Sequence, residues 1–370
     1  MKTNKWNILL SISVALLFTA CGSDSPSTPG TKEEKSAFGL VFTSDFTNGE
    51  LRFFDLDSNT ISKEKLTFNQ DAKIVVQGSQ VFILERYGAD NLVKIDPSKW
   101  NEGPSAILYQ TALGEGANPS DIIALNENTA WLGLEGSPEL LKINTASKGK
   151  VLKTVDLSAY TAEGNISPNL VKLALKGDTL FALLQRLDMY QVTSPGLVVL
   201  IDANAGTILD TIRLKTGNPS TFTLVNGDLW VSTQGGYNAD YGLDADSERG
   251  IERVDIKNKK SVLEVSGEEL GGGVSFMVVD IEAKVLYASV MSPIGTYSLQ
   301  QVSLDDNSVK AVDGIDDSSG SLFWDAESAL LFIGDRSYGA ERLLVYNGTS
   351  VKTIKGDAVL PPSNISIVYF

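Results

Sequence analysis

Short runs of alternating apolar and polar residues, separated by Gly, Asn, Asp and Ser, fill the chain from Phe38 to its end, and helical periodicity is scarce. The stretch Asn218–Thr233 shows the unit most clearly. It predicts a strand at Thr221–Val225, a two-residue turn at Asn226-Gly227 and a second strand at Asp228–Thr233. Asn-Gly between apolar runs is a strong hairpin signal, because both residues tolerate the positive φ that a type I′ turn demands.

The same unit recurs. One landmark is a small turn motif ahead of an apolar strand, at Asn118-Pro119-Ser120, Ser167-Pro168-Asn169, Asn218-Pro219-Ser220 and Pro362-Ser363-Asn364. Asp71-Ala72-Lys73, Gly272-Gly273-Val274 and Ser319-Gly320-Ser321 occupy equivalent places without the proline. A second landmark is an apolar strand ending in Asp or Asn before a polar turn, at Asp57, Asp96, Asn144, Asp202, Asp255, Asp305 and Asn347. Together they give a period of roughly 40–55 residues with four short strands per unit, which predicts a β-propeller and not a sandwich. Seven units are present. The first holds only three strands, Phe38–Phe42, Glu50–Asp57 and Ile61–Phe68, while Asn364–Phe370 is a strand with no hairpin partner after it. The expected fold is therefore an all-β, seven-bladed β-propeller of four-stranded blades. Its ring is closed by the C-terminal strand, which completes blade 1 as its innermost member and removes an open edge.

Leu229-Trp230-Val231-Ser232-Thr233 followed by Val254-Asp255, and Phe82-Ile83-Leu84 followed by Val93-Lys94-Ile95-Asp96, resemble the YVTN-type seven-bladed propeller repeat. The second half of that repeat is similar to Leu200-Ile201-Asp202 with Gly206-Thr207-Ile208, and to Lys142-Ile143-Asn144 with Val151–Val155. No unit carries Tyr-Val-Thr-Asn itself, so the resemblance is to a divergent branch. It spans nearly everything after residue 37 and implies a fold, not a function.

Residues 1–20 have the form of a lipoprotein signal peptide: Lys2 and Lys5, an apolar Ile8–Phe18, then small residues ahead of Cys21. This resembles the bacterial lipobox, which implies that Cys21 is lipidated. Residues 21–36 read as the lipidated cysteine and a flexible tether, poor in apolar side chains, and 37–370 as the propeller. The expected location is the bacterial cell envelope, anchored by lipid, in the outer membrane if the host is Gram-negative. Cys21 is the only cysteine, so no disulfide is expected and the fold must rest on its core. Removing the signal leaves 29 basic against 46 acidic residues, near −17, which repels nucleic acid. There is no histidine. Its absence removes the commonest general base and metal ligand and the Ser-His-Asp triad, and no cofactor is expected.

Loops joining the second strand of each blade to the third share one face of such a disc. Tyr87, Tyr190, Tyr237, Tyr241, Tyr297 and Tyr338 fall in them, six of the eleven tyrosines, as do Arg86, Arg186, Arg249 and Arg336. These residue types combine rigid area with a polar handle, which predicts a ligand-binding face walled by the long loops 185–196 and 234–250. The competing reading is that the tyrosines pin the loops to the rim. Trp131, Trp230 and Trp324 are assigned to packing between blades. Gly271-Gly272-Gly273 is read as a turn, since no helix follows to bind phosphate. Asp240, Asp244, Asp246 and Glu248 form an acidic loop, read as solvated, with calcium as the alternative occupant; Arg249 stands where an EF-hand would need glycine.

These readings favour a protein that binds and does not catalyse. One form is surface capture of a small nutrient, similar to propeller lipoproteins that hand corrinoids to outer-membrane transporters, with a deep, aromatic-lined pocket. The alternative is an envelope scaffold binding protein or polysaccharide over a shallow surface. A carboxylate-dependent hydrolase would show two carboxylates facing each other at the channel mouth.

Overall fold

The computed structural model describes residues 37–188, 191–238, 240, 242–356 and 360–370. Seven four-stranded antiparallel sheets make up seven blades. Blade 1 consists of Pro362–Tyr369, Ala37–Ser44, Gly49–Asp55 and Thr60–Phe68 from the axis outward. Pro362–Tyr369 pairs with Ala37–Ser44 from Ala37↔Tyr369 to Thr43↔Pro362, so the ring closes as the strand count predicts. Blades 2 to 7 begin with inner strands Ala72–Gln77, Pro119–Asn126, Leu170–Lys176, Pro219–Val225, Gly273–Asp280 and Ser321–Asp325. In the Asn226-Gly227 hairpin both turn residues have positive φ, 51° and 97°, the type I′ geometry that the dipeptide signals.

The turn between third and outer strands is a repeated Asx turn. Asn144 Oδ1 accepts the Ala146 and Ser147 N–H groups, Asp202 those of Asn204 and Ala205, and Asn347 those of Thr349 and Ser350. In blade 1 the turn is built by Asp55 and not Asp57, and in blade 6 by the Ser303 hydroxyl, which accepts the Asp305 N–H at 3.3 Å. The sequence landmark is displaced there because the acceptor sits two residues before its N–H partner, and Asp57 and Asp305 supply the N–H and not the acceptor.

Each of the seven blade–blade interfaces carries its own hydrophobic cluster. Trp131 is fully buried between blades 3 and 4, where its indole N–H donates to Ala203 O at 2.9 Å. Trp230 packs between blades 5 and 6, and Trp324 stacks on Tyr287 with ring centroids 5.8 Å apart. The interface between blades 7 and 1 joins Phe332, Leu343 and Val345 to Ile365 and Ile367 of the closing strand. Gly271 caps the short helix Gly267–Leu270 in the left-handed region, confirming a turn. At Gly272 a Cβ would lie 1.9 Å from Met291 O, so only glycine fits.

Side chains also satisfy the inner edges of the sheets around the axis. Ile74 N–H of blade 2 donates to Asn364 Oδ1 of blade 1 at 2.7 Å, and Ala124 N–H of blade 3 to Gln77 Oε1 of blade 2 at 3.3 Å. Leu173 N–H of blade 4 donates to Asp121 Oδ2 of blade 3 at 2.9 Å. Among the described residues no helix is long and apolar enough to cross a membrane.

The closing strand provides the first test. Ile367→Ala empties volume in the cluster between blades 7 and 1 and should cost about 2–5 kcal/mol, read from urea unfolding. An effect near zero would mean that the closing strand is peripheral to the cooperative unit.

Candidate functional site

The residue just before each inner strand shapes one face of the disc. Asn118, Asn169 and Asn218 open blades 3, 4 and 5 with φ of 46°, 55° and 53°. Asparagine is among the few residues that adopt this left-handed conformation readily. Each turns its carbonyl to the N–H that follows the second strand of its own blade, that of Glu135, Gln185 or Gln234, at 2.9 to 3.0 Å. One residue further on, each inner strand contains a β-bulge, between Pro119 and Asp121, Leu170 and Lys172, and Pro219 and Thr221. The backbone thereby places an asparagine and a following Glu or Gln side by side at the mouth of the disc in three consecutive blades.

These residues line a cleft of about 670 Å³ over blades 2 to 5. Asn118, Asn169, Asn218, Gln185 and Gln234 supply amides, Ser167 a hydroxyl, and Tyr87, Ile166 and Tyr237 a partly apolar lip. Many of the polar groups are already oriented by one another. Gln185 Nε2 donates to Asn218 Oδ1 at 2.8 Å, Asn218 Nδ2 to Gly235 O at 3.0 Å, and Tyr237 Oη to Gln234 Oε1 at 2.7 Å. Two carboxylates are present, both engaged. Asp90 accepts the Gly116 and Asn118 N–H groups at 2.9 and 2.7 Å, and Glu135 accepts Arg86 Nη2 at 2.6 Å.

Of the residues singled out in the sequence, Tyr87 and Tyr237 line the cleft. Arg86 supports it from behind: buried, it donates Nε to Asn118 Oδ1 at 3.1 Å as well as pairing with Glu135. Arg186 instead ties loops together, donating to Tyr160 O and Pro195 O, and Arg336 fastens the ring closure through Ser44 O, Pro361 O and Pro362 O. Burial lowers the pKa of both guanidinium groups from the ordinary value. Both arginines therefore serve backbone carbonyls in a loop-pinning role. Tyr297 is half-buried, its hydroxyl on Met291 Sδ at 3.2 Å, and Tyr338 is fully exposed away from the cleft. Tyr190, Tyr241 and Cys21 lie outside the described residues.

In the acidic loop, Asp244 Oδ1 accepts the Asp246 N–H at 3.1 Å and Asp244 O accepts from Arg249. Asp240 and Glu248 are exposed. Among the described residues no group of three or more acidic side chains converges as a metal site. The amide floor is absent from the sequence-based candidates. Its signal lay in the repeated turn motif, whose asparagines mark both the strand entry and the cleft.

No family model matches the chain, and no curated protein does. Solved structures match its fold. A protein of unknown function from Desulfotomaculum acetoxidans superposes with a TM-score of 0.60 at 15% identity, covering 90% of this chain and 99% of that one. A protein from Lactobacillus plantarum gives 0.62 at 11% identity, with the same shares of 90% and 99%. Hydrazine synthase of Kuenenia stuttgartiensis gives 0.58 at 14%, covering 86% and 95%. The chain is a seven-bladed β-propeller. At these identities the likeness carries architecture alone.

Burial pushes the hydroxyls of Tyr237 and Tyr109 up to about 12. An unfolded tyrosine ionises near 10. Between those values the unfolded chain binds fewer protons than the folded one, so stability is intact below pH 10 and falls as pH rises toward 12. Tyr237→Phe should lessen this alkaline loss, seen as a smaller drop in urea midpoint between pH 9 and pH 11. An unchanged drop would show that the Tyr237 hydroxyl titrates as if exposed.

Proposed function

We propose that this protein is an exported, lipid-anchored binding protein of the bacterial envelope, in a divergent branch of the YVTN-type propellers, and that its cleft captures a small hydroxyl-rich nutrient such as an oligosaccharide. The cleft's amide floor supports this reading most. Amides offer donors and acceptors together, which suits hydroxyls that do both. Tyr87, Tyr237 and Ile166 at the lip suit the C–H faces of a sugar ring. The volume falls within the range of small-molecule sites. Asp90 and Glu135 are held by structural partners, an arrangement that favours positioning a ligand over moving its protons. The anchor rests on Cys21 and the leader before it, and the acidic charge argues against nucleic acid.

A second reading, docking of an envelope protein, draws on the rim. Phe46, Ile294 and Tyr338 lie outside the cleft in loops of the same face, with exposures of 79%, 87% and 102%. Loop tips of this kind anchor protein contacts more readily than sugars.

A thermal-shift and calorimetric screen of the full chain against neutral and acidic oligosaccharides separates the two. A bound saccharide should raise the melting temperature. Tyr87→Ala and Tyr237→Ala should each weaken it by roughly 5–30-fold, about 1–2 kcal/mol, while the fold persists. Silence across the saccharides, with envelope association lost in a Phe46→Ser, Ile294→Ser, Tyr338→Ser triple variant, would favour the docking reading instead.

A further inference from the structure

The chain builds one feature of its central channel twice, with a single chemical difference. In blade 3, Pro119-Ser120-Asp121-Ile122 enters the inner strand through a bulge, and Asp121 Oδ2 accepts the Leu173 N–H of blade 4 at 2.9 Å. The same carboxylate pairs with the preceding residue, Lys172, at 3.3 Å. In blade 1, Pro362-Ser363-Asn364-Ile365 enters through an equivalent bulge, and Asn364 Oδ1 accepts the Ile74 N–H of blade 2 at 2.7 Å. The residue before Ile74 is Lys73. The backbone device is thus the same, but the side chain that caps the strand after the second lysine is a neutral amide, where after the first it is a carboxylate that also pairs with the lysine. Among the described residues the Lys73 amine has no hydrogen-bond or ion-pair partner.

Lys73 and Lys172 both line the upper channel, with Ser220 and Ser275. This throat adjoins the cleft: Gln234, in the cleft wall, donates Nε2 to Ser275 Oγ at 2.9 Å. Glu135 of the cleft lies within electrostatic reach of Lys73, as do Arg86, Asp121 and Lys172. These neighbours are already matched, Arg86 with Glu135 at 2.6 Å and Asp71 at 3.8 Å, and Lys172 with Asp121 at 3.3 Å. Lys73 is the cation of this group whose amine contacts none of these carboxylates.

We infer that the throat at Lys73 is an oxyanion-binding position, and that the ligand of the cleft above carries an acidic group, as a uronic-acid saccharide does. Lys73 is half-buried in the channel wall, and a partly desolvated ammonium without a counter-ion is stabilised by an incoming carboxylate more than by a neutral ligand. Burial, the leading cause, together with the Arg86 charge lowers the Lys73 amine to about 8, as expected of a cation that lacks a partner. The inference deepens the saccharide reading and rests on it for the ligand class, but not for the anion.

The test uses the full chain and three probes: neutral galacto-oligosaccharides, oligogalacturonates and inorganic phosphate. Titration calorimetry is run on the wild type, Lys73→Met and Asn364→Asp, and the Lys73 amine is followed by NMR. Asn364→Asp supplies in blade 1 the carboxylate that blade 3 already has, so it should fill the vacancy without disturbing the Ile74 contact. The galacturonates should bind at least about tenfold more tightly than the neutral sugars. Both variants should erase that margin while leaving neutral-sugar affinity within about twofold. In the wild type the Lys73 amine should titrate higher once galacturonate is bound. A Lys73 titration unmoved by every anion, with no margin between acidic and neutral sugars, would overturn the inference while the cleft reading stands. A Lys73 shift with phosphate, but no binding of either sugar, would support the oxyanion position and overturn the saccharide.

Discussion

Seven sheets arranged around an axis all face the same difficulty: each innermost strand has an unpaired edge. Water in a narrow channel is a poor partner for ordered N–H groups, and a bare edge is a template for misassembly. In this chain side chains reach across from the preceding blade. Asn364 serves blade 2, Gln77 serves blade 3 and Asp121 serves blade 4. Each bond couples two blades at the radius where they are closest, while the apolar clusters couple them further out. Closure by Pro362–Tyr369 is one case of this constraint, since Asn364 belongs to the closing strand. A ring without that strand would lack an inner member for blade 1 and the edge partner for blade 2 together.

The functional face follows from how the chain enters those inner strands. A left-handed asparagine turns the backbone, a bulge then re-aims the next side chains, and the result points amides up to the cleft and charges inward to the channel. Arg86 and Asp90 fix the first of these turns, at Asn118, from the neighbouring blade. Rigidity of this kind matters for binding polar ligands, because amides held in place by one another lose little freedom when a hydroxyl arrives.

The architecture was legible because its signals are local and repeated. Asn226-Gly227 determines a hairpin whatever surrounds it, and the Asx turns recur wherever an Asp or Asn ends a third strand. A first unit one strand short and a last strand without a hairpin partner announced closure. The site was less legible, since a loop tyrosine or arginine has no sequence mark to tell solvent from a carbonyl. Arg336 and Arg186 look the same as ligand-binding arginines in sequence, yet the carbonyls that occupy them come from segments far along the chain or across the loop. The asparagines were visible as turn markers. What sequence could not supply was that three turns a repeat apart converge on one cleft.

Internal repetition also separates architecture from function. A residue demanded by the fold should return in every blade with its partner, and one that returns without its partner has another source of selection. Lys172 has Asp121; Lys73 has an amide in the same place. The chain's formal charge of −15 sharpens the contrast. That field opposes acidic ligands in bulk solution, but at physiological salt it is screened beyond about 8 Å. Inside the throat an ammonium without a direct ion-pair partner sits in the channel wall, and at contact distance its charge outweighs the screened field of the whole chain. A strongly acidic protein would then select acidic ligands at the place where a throat lysine lacks the carboxylate that its counterpart has, and would repel larger polyanions elsewhere.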